Sequence, residues 1–304
     1  MARFRLAGLT IALLVSAACS GTPVAGAVDS VVTEEVAFES RGASVPATYV
    51  RPAAGVAGPF PIVVMAHGHG GTRDEAGGFR RLAEALARRG IVTIRPDFPG
   101  CGQSQEPFTD NNLSNMLADA RAALAYARQR PDIDPGRTGI VGYSMGARVA
   151  MLLLPDGFEA AVLWSPVGLD GPDAIFPFVG GRSNYAELRD RAHSTGTTTF
   201  VTPWGQQQTL GRQWFDDLEG YPPMAALHSY TGALLVISGA ADRIIGPGIA
   251  RAVAAAATSS GTVRVDIVPG AGHGLGFYDD NPAIGERVIR STADFLVSEL
   301  FRNR

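Results

Sequence analysis

Apolar residues recur along this chain in two rhythms. Unbroken apolar runs at 62–66, 91–94, 138–141, 160–164 and 233–238 read as short buried strands, and 263–268 gives a further strand. Between them lie segments whose apolar residues share one helical face. Phe79, Leu82 and Leu86 form such a face, with Arg80, Arg81 and Arg88 outward and a stop at Gly90. Leu113, Met116, Leu117, Ala120, Leu124 and Ala127 form another. Residues 147–154, 250–257 and 288–301 complete the helices. Two earlier strands, 31–37 and 47–50, flank the polar Ser40-Arg41-Gly42 and are expected to pair antiparallel at one sheet edge. Strands alternating with helices imply an α/β fold, a mostly parallel central sheet with helices on both faces. The alternation stops at Ser165. From there to about Tyr221 the chain is rich in Gly, aromatic and polar residues, with no sustained strand expected. No internal repeat or low-complexity linker divides the rest. Residues 28–304 therefore read as one domain with a cap inserted at about 166–220.

The first 27 residues follow a different pattern. Met1-Ala2-Arg3-Phe4-Arg5 carries two positive charges, and residues 6–18 are apolar and small, too short for a membrane span. This is the layout of a secretory signal, so the protein is expected to be exported. Two exits fit. Ser16-Ala17-Ala18-Cys19 resembles a lipobox, without the usual Leu three residues before the cysteine, and a lipidated Cys19 would anchor the chain to a membrane. Ala25-Gly26-Ala27 would instead allow cleavage before Val28 and release the protein. Either exit takes Cys19 out of play and leaves Cys101 without a disulfide partner, since the chain has 2 cysteines. A length of 304 residues, 46% hydrophobic, suits a large globular domain, and a net charge of -3 excludes a basic footprint for nucleic acid.

The chemistry centres on Gly142-Tyr143-Ser144-Met145-Gly146, set between a strand and a helix. A Gly-x-Ser-x-Gly in that context is a nucleophile elbow, a turn too sharp for side chains at its flanks. Ser144 then projects at a helix N-terminus, where negative charge is favoured. A serine hydroxyl needs a base, and the base needs an orienting acid. His273, in the loop Gly270-Ala271-Gly272-His273-Gly274 after the last strand, is the candidate base. Asp242, after the strand 233–238, is the candidate acid. Asp266 competes, but it lies inside a strand and reads as an edge or surface carboxylate. The oxyanion donors are expected to be the Met145 N–H and the His69 N–H, the latter in His67-Gly68-His69-Gly70-Gly71. His67 reads as a hydrogen-bonding residue that stiffens this loop. Two histidines spaced two apart, without nearby Cys or clustered carboxylates, make a poor zinc site. No metal and no cofactor are expected.

These residues resemble the α/β-hydrolase superfamily, near its dienelactone hydrolase, bacterial feruloyl (cinnamoyl) esterase and serine aminopeptidase-like branch. The resemblance covers about residues 45–300. It is carried by Met65-Ala66-His67-Gly68-His69-Gly70-Gly71, by Asp97-Phe98-Pro99-Gly100-Cys101-Gly102-Gln103-Ser104, and by Asp132-Ile133-Asp134-Pro135-Gly136-Arg137 leading into the elbow. Gly239-Ala240-Ala241-Asp242 and Gly272-His273-Gly274 complete it. Ala147 stands where the family often has Gly, and Cys101 where it usually has a charged or polar residue. The resemblance implies the α/β-hydrolase fold, the triad Ser144, Asp242 and His273, and a lid at the cap. That segment holds Phe176, Phe178, Tyr185, Phe200, Trp204, Trp214 and Phe215. These aromatics either line the pocket or pack the cap onto the core. Trp164, Trp204 and Trp214 are the candidate substrate-binding residues. The expected activity is hydrolysis of a small-molecule carboxylic ester through an acyl-enzyme. The alternatives are a peptidase or amidase on the same triad, with Asp216, Asp217 and Glu219 as readers of a free N-terminus, and a non-catalytic hydrolase-fold binding protein. Nothing in the sequence bears on oligomeric state.

Overall fold

The computed structural model describes residues 30–53, 55–279 and 281–302. The expected signal, Cys19 and both cleavage sites lie outside these residues. The strands are β1 (Val31–Ser40), β2 (Ala43–Pro52), β3 (Phe60–Ala66), β4 (Val92–Pro96), β5 (Ile133–Tyr143), β6 (Ala160–Trp164), β7 (Thr197–Val201), β8 (Gln207–Gly211), β9 (Ala233–Gly239) and β10 (Thr262–Val268). The helices are α1 (Gly78–Ala87), α2 (Leu113–Arg128), α3 (Met145–Leu153), α4 (Arg182–Thr195), α5 (Arg212–Gly220), α6 (Pro223–Ser229), α7 (Pro247–Ala256) and α8 (Pro282–Leu300).

Eight strands form one sheet in the order β1-β2-β4-β3-β5-β6-β9-β10. The pairs β1–β2 and β2–β4 are antiparallel, and every other pair is parallel. The edge hairpin is longer than the apolar pattern suggested. Arg41 and Gly42, at φ 54° and 78°, make a tight turn whose twist suits ten-residue strands on either side. Along β3, Ile62, Val64 and Ala66 join the core beneath α2 and α3, while Val63 and Met65 join that beneath α1 and α8. Both faces are covered, which is why this run shows no polar position. Helix α1 contributes Phe79, Leu82 and Leu86, all buried. Each such burial is worth roughly 1.5–3 kcal/mol.

Between β6 and β9 the chain builds α4, the antiparallel hairpin β7–β8, α5 and α6. The hairpin corrects the expectation that this segment lacks strands. Its strands are five residues long, with Thr198, Phe200, Gln208 and Leu210 inward. Threonines and glutamines on both sides mute the apolar alternation that would have revealed it. Arg148 of α3, 0% exposed, fastens this segment to the core. Its Nη1 donates to the carbonyls of Leu169 (2.7 Å) and Gly171 (3.2 Å), and its Nη2 to those of Leu218 (2.8 Å) and Tyr221 (2.9 Å). One guanidinium thus holds both ends of the segment 165–221 on the helix that starts at the elbow.

Candidate active site

Ser144 separates β5 from α3 at φ 53° and ψ -113°, a backbone setting that residues with a Cβ avoid. Backbone hydrogen bonds hold it there. Its N–H donates to the Trp164 carbonyl (2.8 Å), and its carbonyl accepts the Val167 N–H (3.2 Å). A Cβ on Gly142 would collide with the Gly146 carbonyl, and one on Gly146 with the Ala66 carbonyl. The two glycines are therefore a steric requirement of this turn.

The loops after β9 and β10 bring the other two groups to the same end of the sheet. Asp242 is buried, and its Oδ1 accepts the N–H groups of Ile244 (2.9 Å) and Ile245 (2.8 Å). Its Oδ2 is left to accept the His273 Nδ1–H at 2.8 Å. His273 Nε2 then faces the Ser144 Oγ at 3.1 Å as a proton acceptor. The His273 carbonyl accepts the Tyr143 hydroxyl at 3.2 Å, which ties the histidine loop to the elbow strand. Asp266 takes no part in this. It lies on β10 and pairs with Arg287 at 2.7 Å.

A cavity of about 480 Å³ opens over Ser144 and His273. Its wall is largely apolar, with Val167, Ile175, Phe178, Trp204, Ile244 and Ile245. Met145 and the loop Gly68–Gly71 border it on the serine side. Among the described residues neither the Met145 N–H nor the His69 N–H is paired. The imidazoles of that loop are engaged elsewhere. His67 Nε2 accepts the Phe98 N–H (2.9 Å), so its Nδ1–H donates to the Gly68 carbonyl (2.8 Å), and burial lowers its pKa. This is the stiffening role expected of it. His69 is lowered to about 4 by burial and is neutral, so its Nε2–H donates to Gln208 Oε1 on β8 at 2.9 Å. The rings of Phe108, Phe178 and Trp214 surround it.

The three tryptophans part company. Trp204 lines the cavity at the tip of the β7–β8 hairpin, 55% exposed and packed on Phe178 at 5.5 Å. Trp214 is buried between cap and core against His69 and Phe215, and does not border the cavity. Trp164 lies on the opposite face of the sheet, beneath α1 and α8, stacked on Phe277 and donating through Nε1 to Thr292. It shares that face with Val162, two residues earlier, so the expectation that it contacts substrate is corrected by strand parity. Cys101 is also buried and does not border the cavity, its thiol pushed up to about 12 by desolvation. Of the carboxylates considered as readers of an N-terminus, Asp217 accepts from Ser114 at the start of α2, Asp216 pairs with Arg212 and His193, and Glu219 pairs with Arg189. None of them borders the cavity.

Glu75 and Tyr278 also border the cavity, and neither is marked out in the sequence. Glu75 sits in the polar stretch Arg73-Asp74-Glu75-Ala76-Gly77, which reads as a solvated loop. Only the Gly77-Gly78 pair hinted at an unusual turn.

Comparison with known proteins identifies the family and the fold. The model of the alpha/beta hydrolase family matches residues 63–284. The quorum-quenching protein AidA of Acinetobacter baumannii is 32% identical over 170 residues, which cover 49% of this chain and 55% of that protein. Esterase EstD of Thermotoga maritima is 32% identical over 95 residues, covering 30% of this chain and 23% of that one. The chain thus spans about half or less of the length of these relatives. Est1E from Butyrivibrio proteoclasticus, solved with ferulic acid bound, shares the fold with a TM-score of 0.61 at 18% identity, over 85% of this chain and 99% of that one. A family match across most of the chain, joined to a parallel sheet of this order with a serine elbow after β5, leads to one conclusion: the protein belongs to the α/β-hydrolase family.

Proposed function

We propose that the protein is an exported, serine-dependent carboxylic ester hydrolase acting through an acyl-enzyme. The observation that carries this reading is the hydrogen-bonded line Asp242–His273–Ser144 opening onto an apolar cavity. The export part rests on the first 27 residues alone. In the reaction, His273 Nε2 takes the Ser144 proton as Oγ attacks the ester carbonyl. The N–H groups of Met145 and His69 receive the developing oxyanion, aided by the N-terminus of α3. Asp242 holds the tautomer and stabilises the imidazolium. The alkoxide leaves with the proton from His273, and Ser144 keeps the acyl group. A water deprotonated by the same His273 then releases the acid and restores Ser144. The scheme uses no metal or cofactor.

The cavity wall favours an uncharged substrate with an apolar acyl or aryl part. The placement of Asp216, Asp217 and Glu219 removes the feature that favoured a peptidase, and an intact proton relay argues against a purely binding role. The test compares wild type with Ser144→Ala on p-nitrophenyl esters of rising acyl length, methyl ferulate and an aminoacyl p-nitroanilide. The expected result is ester turnover that falls by at least about 10³-fold in the variant. Amide turnover equal to or above ester turnover would instead favour the peptidase.

A further inference from the structure

Among the described residues Glu75 is the one carboxyl group bordering the cavity, and the scheme above gives it no task. It lies in the turn between β3 and α1, where Glu75, Ala76 and Gly77 take left-handed backbone angles in succession, at φ 45°, 48° and 85°. Two of the three carry a Cβ, and strain of this kind persists only where the surroundings enforce it. The turn leaves the Glu75 side chain enclosed, with the residue 2% exposed. Oε1 accepts the Gly68 N–H at 2.5 Å, and Oε2 accepts the Tyr278 hydroxyl at 2.5 Å. A Cβ on Gly71 would come within 2.6 Å of Oε1, so the loop is fitted around the carboxyl group.

These two partners belong to the two halves of the site. Gly68 precedes His69, the proposed oxyanion donor. Its carbonyl is also pinned, by His67 Nδ1–H at 2.8 Å and the Gly71 N–H at 3.1 Å. In a trans peptide the C=O and the following N–H point in opposite directions. Fixing Gly68 at both its N–H and its carbonyl therefore fixes where the His69 N–H points. Tyr278 follows His273 by five residues. Its ring stacks on Tyr143 at 6.2 Å, and the Tyr143 ring lies 5.3 Å from that of His273.

We propose that Glu75 is a positioning residue: by holding the Gly68 N–H and the Tyr278 hydroxyl together, it sets the oxyanion-binding loop in register with the loop that carries the base. The inference rests on the roles given above to Ser144 and His69. Burial pushes the Glu75 carboxyl up to about 7, which lessens the negative charge that a developing oxyanion would meet there near neutral pH.

The test uses Glu75→Ala, Glu75→Gln and Tyr278→Phe in the full chain. The readouts are kcat and KM on a p-nitrophenyl ester, the rate of fluorophosphonate labelling, and Tm. Glu75→Ala is expected to lower kcat about 10- to 100-fold with KM within about threefold, and to slow labelling by a similar factor, since the phosphonate oxygen uses the same donors. In Glu75→Gln the amide oxygen can accept from Gly68 and the amide N–H can donate to the Tyr278 oxygen, so most of that loss is recovered. Tyr278→Phe alters a half-exposed side chain, and is expected to lower kcat about three- to tenfold at unchanged Tm. If Glu75→Ala does not fold, Tyr278→Phe decides. A kcat within about twofold of wild type in the deciding variant, or a Glu75→Gln as poor as a folded Glu75→Ala, overturns the proposal. Turnover and labelling that survive Ser144→Ala would overturn the underlying reading instead, so the two failures are separable.

Discussion

Ser144 and Glu75 border one cavity, and each sits at a positive φ that its own side chain disfavours. Ser144 was legible because its neighbours are glycines that the elbow cannot replace. His273 and Asp242 were legible because each follows an apolar run within a glycine-containing turn. Trp164 misled because the run 160–164 is apolar throughout, so nothing in it distinguishes the two faces of a doubly covered strand. Glu75 was hidden for the converse reason: a carboxylate among charged neighbours looks solvated until the backbone turns it inward. Its burial has a consequence for stability. The ordinary carboxyl value is 4.5, and in the fold it is raised to about 7. Between those values the unfolded chain has released a proton that the folded chain keeps, so this group makes the wild type less stable as pH rises through that window. Glu75→Gln lacks the effect. Its stability relative to wild type is expected to rise by up to about 3 kcal/mol between pH 4.5 and 7.5, read by urea unfolding at both pH values. A constant difference across that range would mean that Glu75 ionises as freely as in water.

At the scale of elements, the strands of the central sheet announced themselves as apolar runs, whereas the β7–β8 hairpin did not. Its rows of Thr and Gln face solvent on one side, and its inward positions include Thr198 and Gln208. What binds the segment 165–221 to the core was equally hidden, because an arginine in a helix reads as an outward charge. Arg148 instead points inward to four carbonyls, and burial lowers its pKa to about 10, which leaves it cationic at neutral pH. Arg148→Met keeps much of the volume and strands those carbonyls. We expect a loss of about 2–4 kcal/mol in denaturant unfolding and faster proteolysis within residues 165–221. Unchanged stability and proteolysis would show that the apolar contacts of α5 and α6 suffice to hold the segment.

For the whole molecule, the decisive property is that a parallel sheet gathers the carboxyl ends of its strands on one edge. The loop after β3 supplies Gly68 and His69, the turn after β5 supplies Ser144, and those after β9 and β10 supply Asp242 and His273. Alternating strands and helices made the parallel sheet legible. The order β2-β4-β3-β5 was not legible from apolar runs alone, since strands buried on both faces carry no mark of which neighbour they take. Every step of the proposed reaction passes through Ser144 as the nucleophile. The most direct measurement is intact-mass analysis and peptide mapping after reaction with a fluorophosphonate. One adduct per chain is expected, located on Ser144 and absent from Ser144→Ala. An adduct on another residue, or stoichiometric labelling that survives Ser144→Ala, would contradict it.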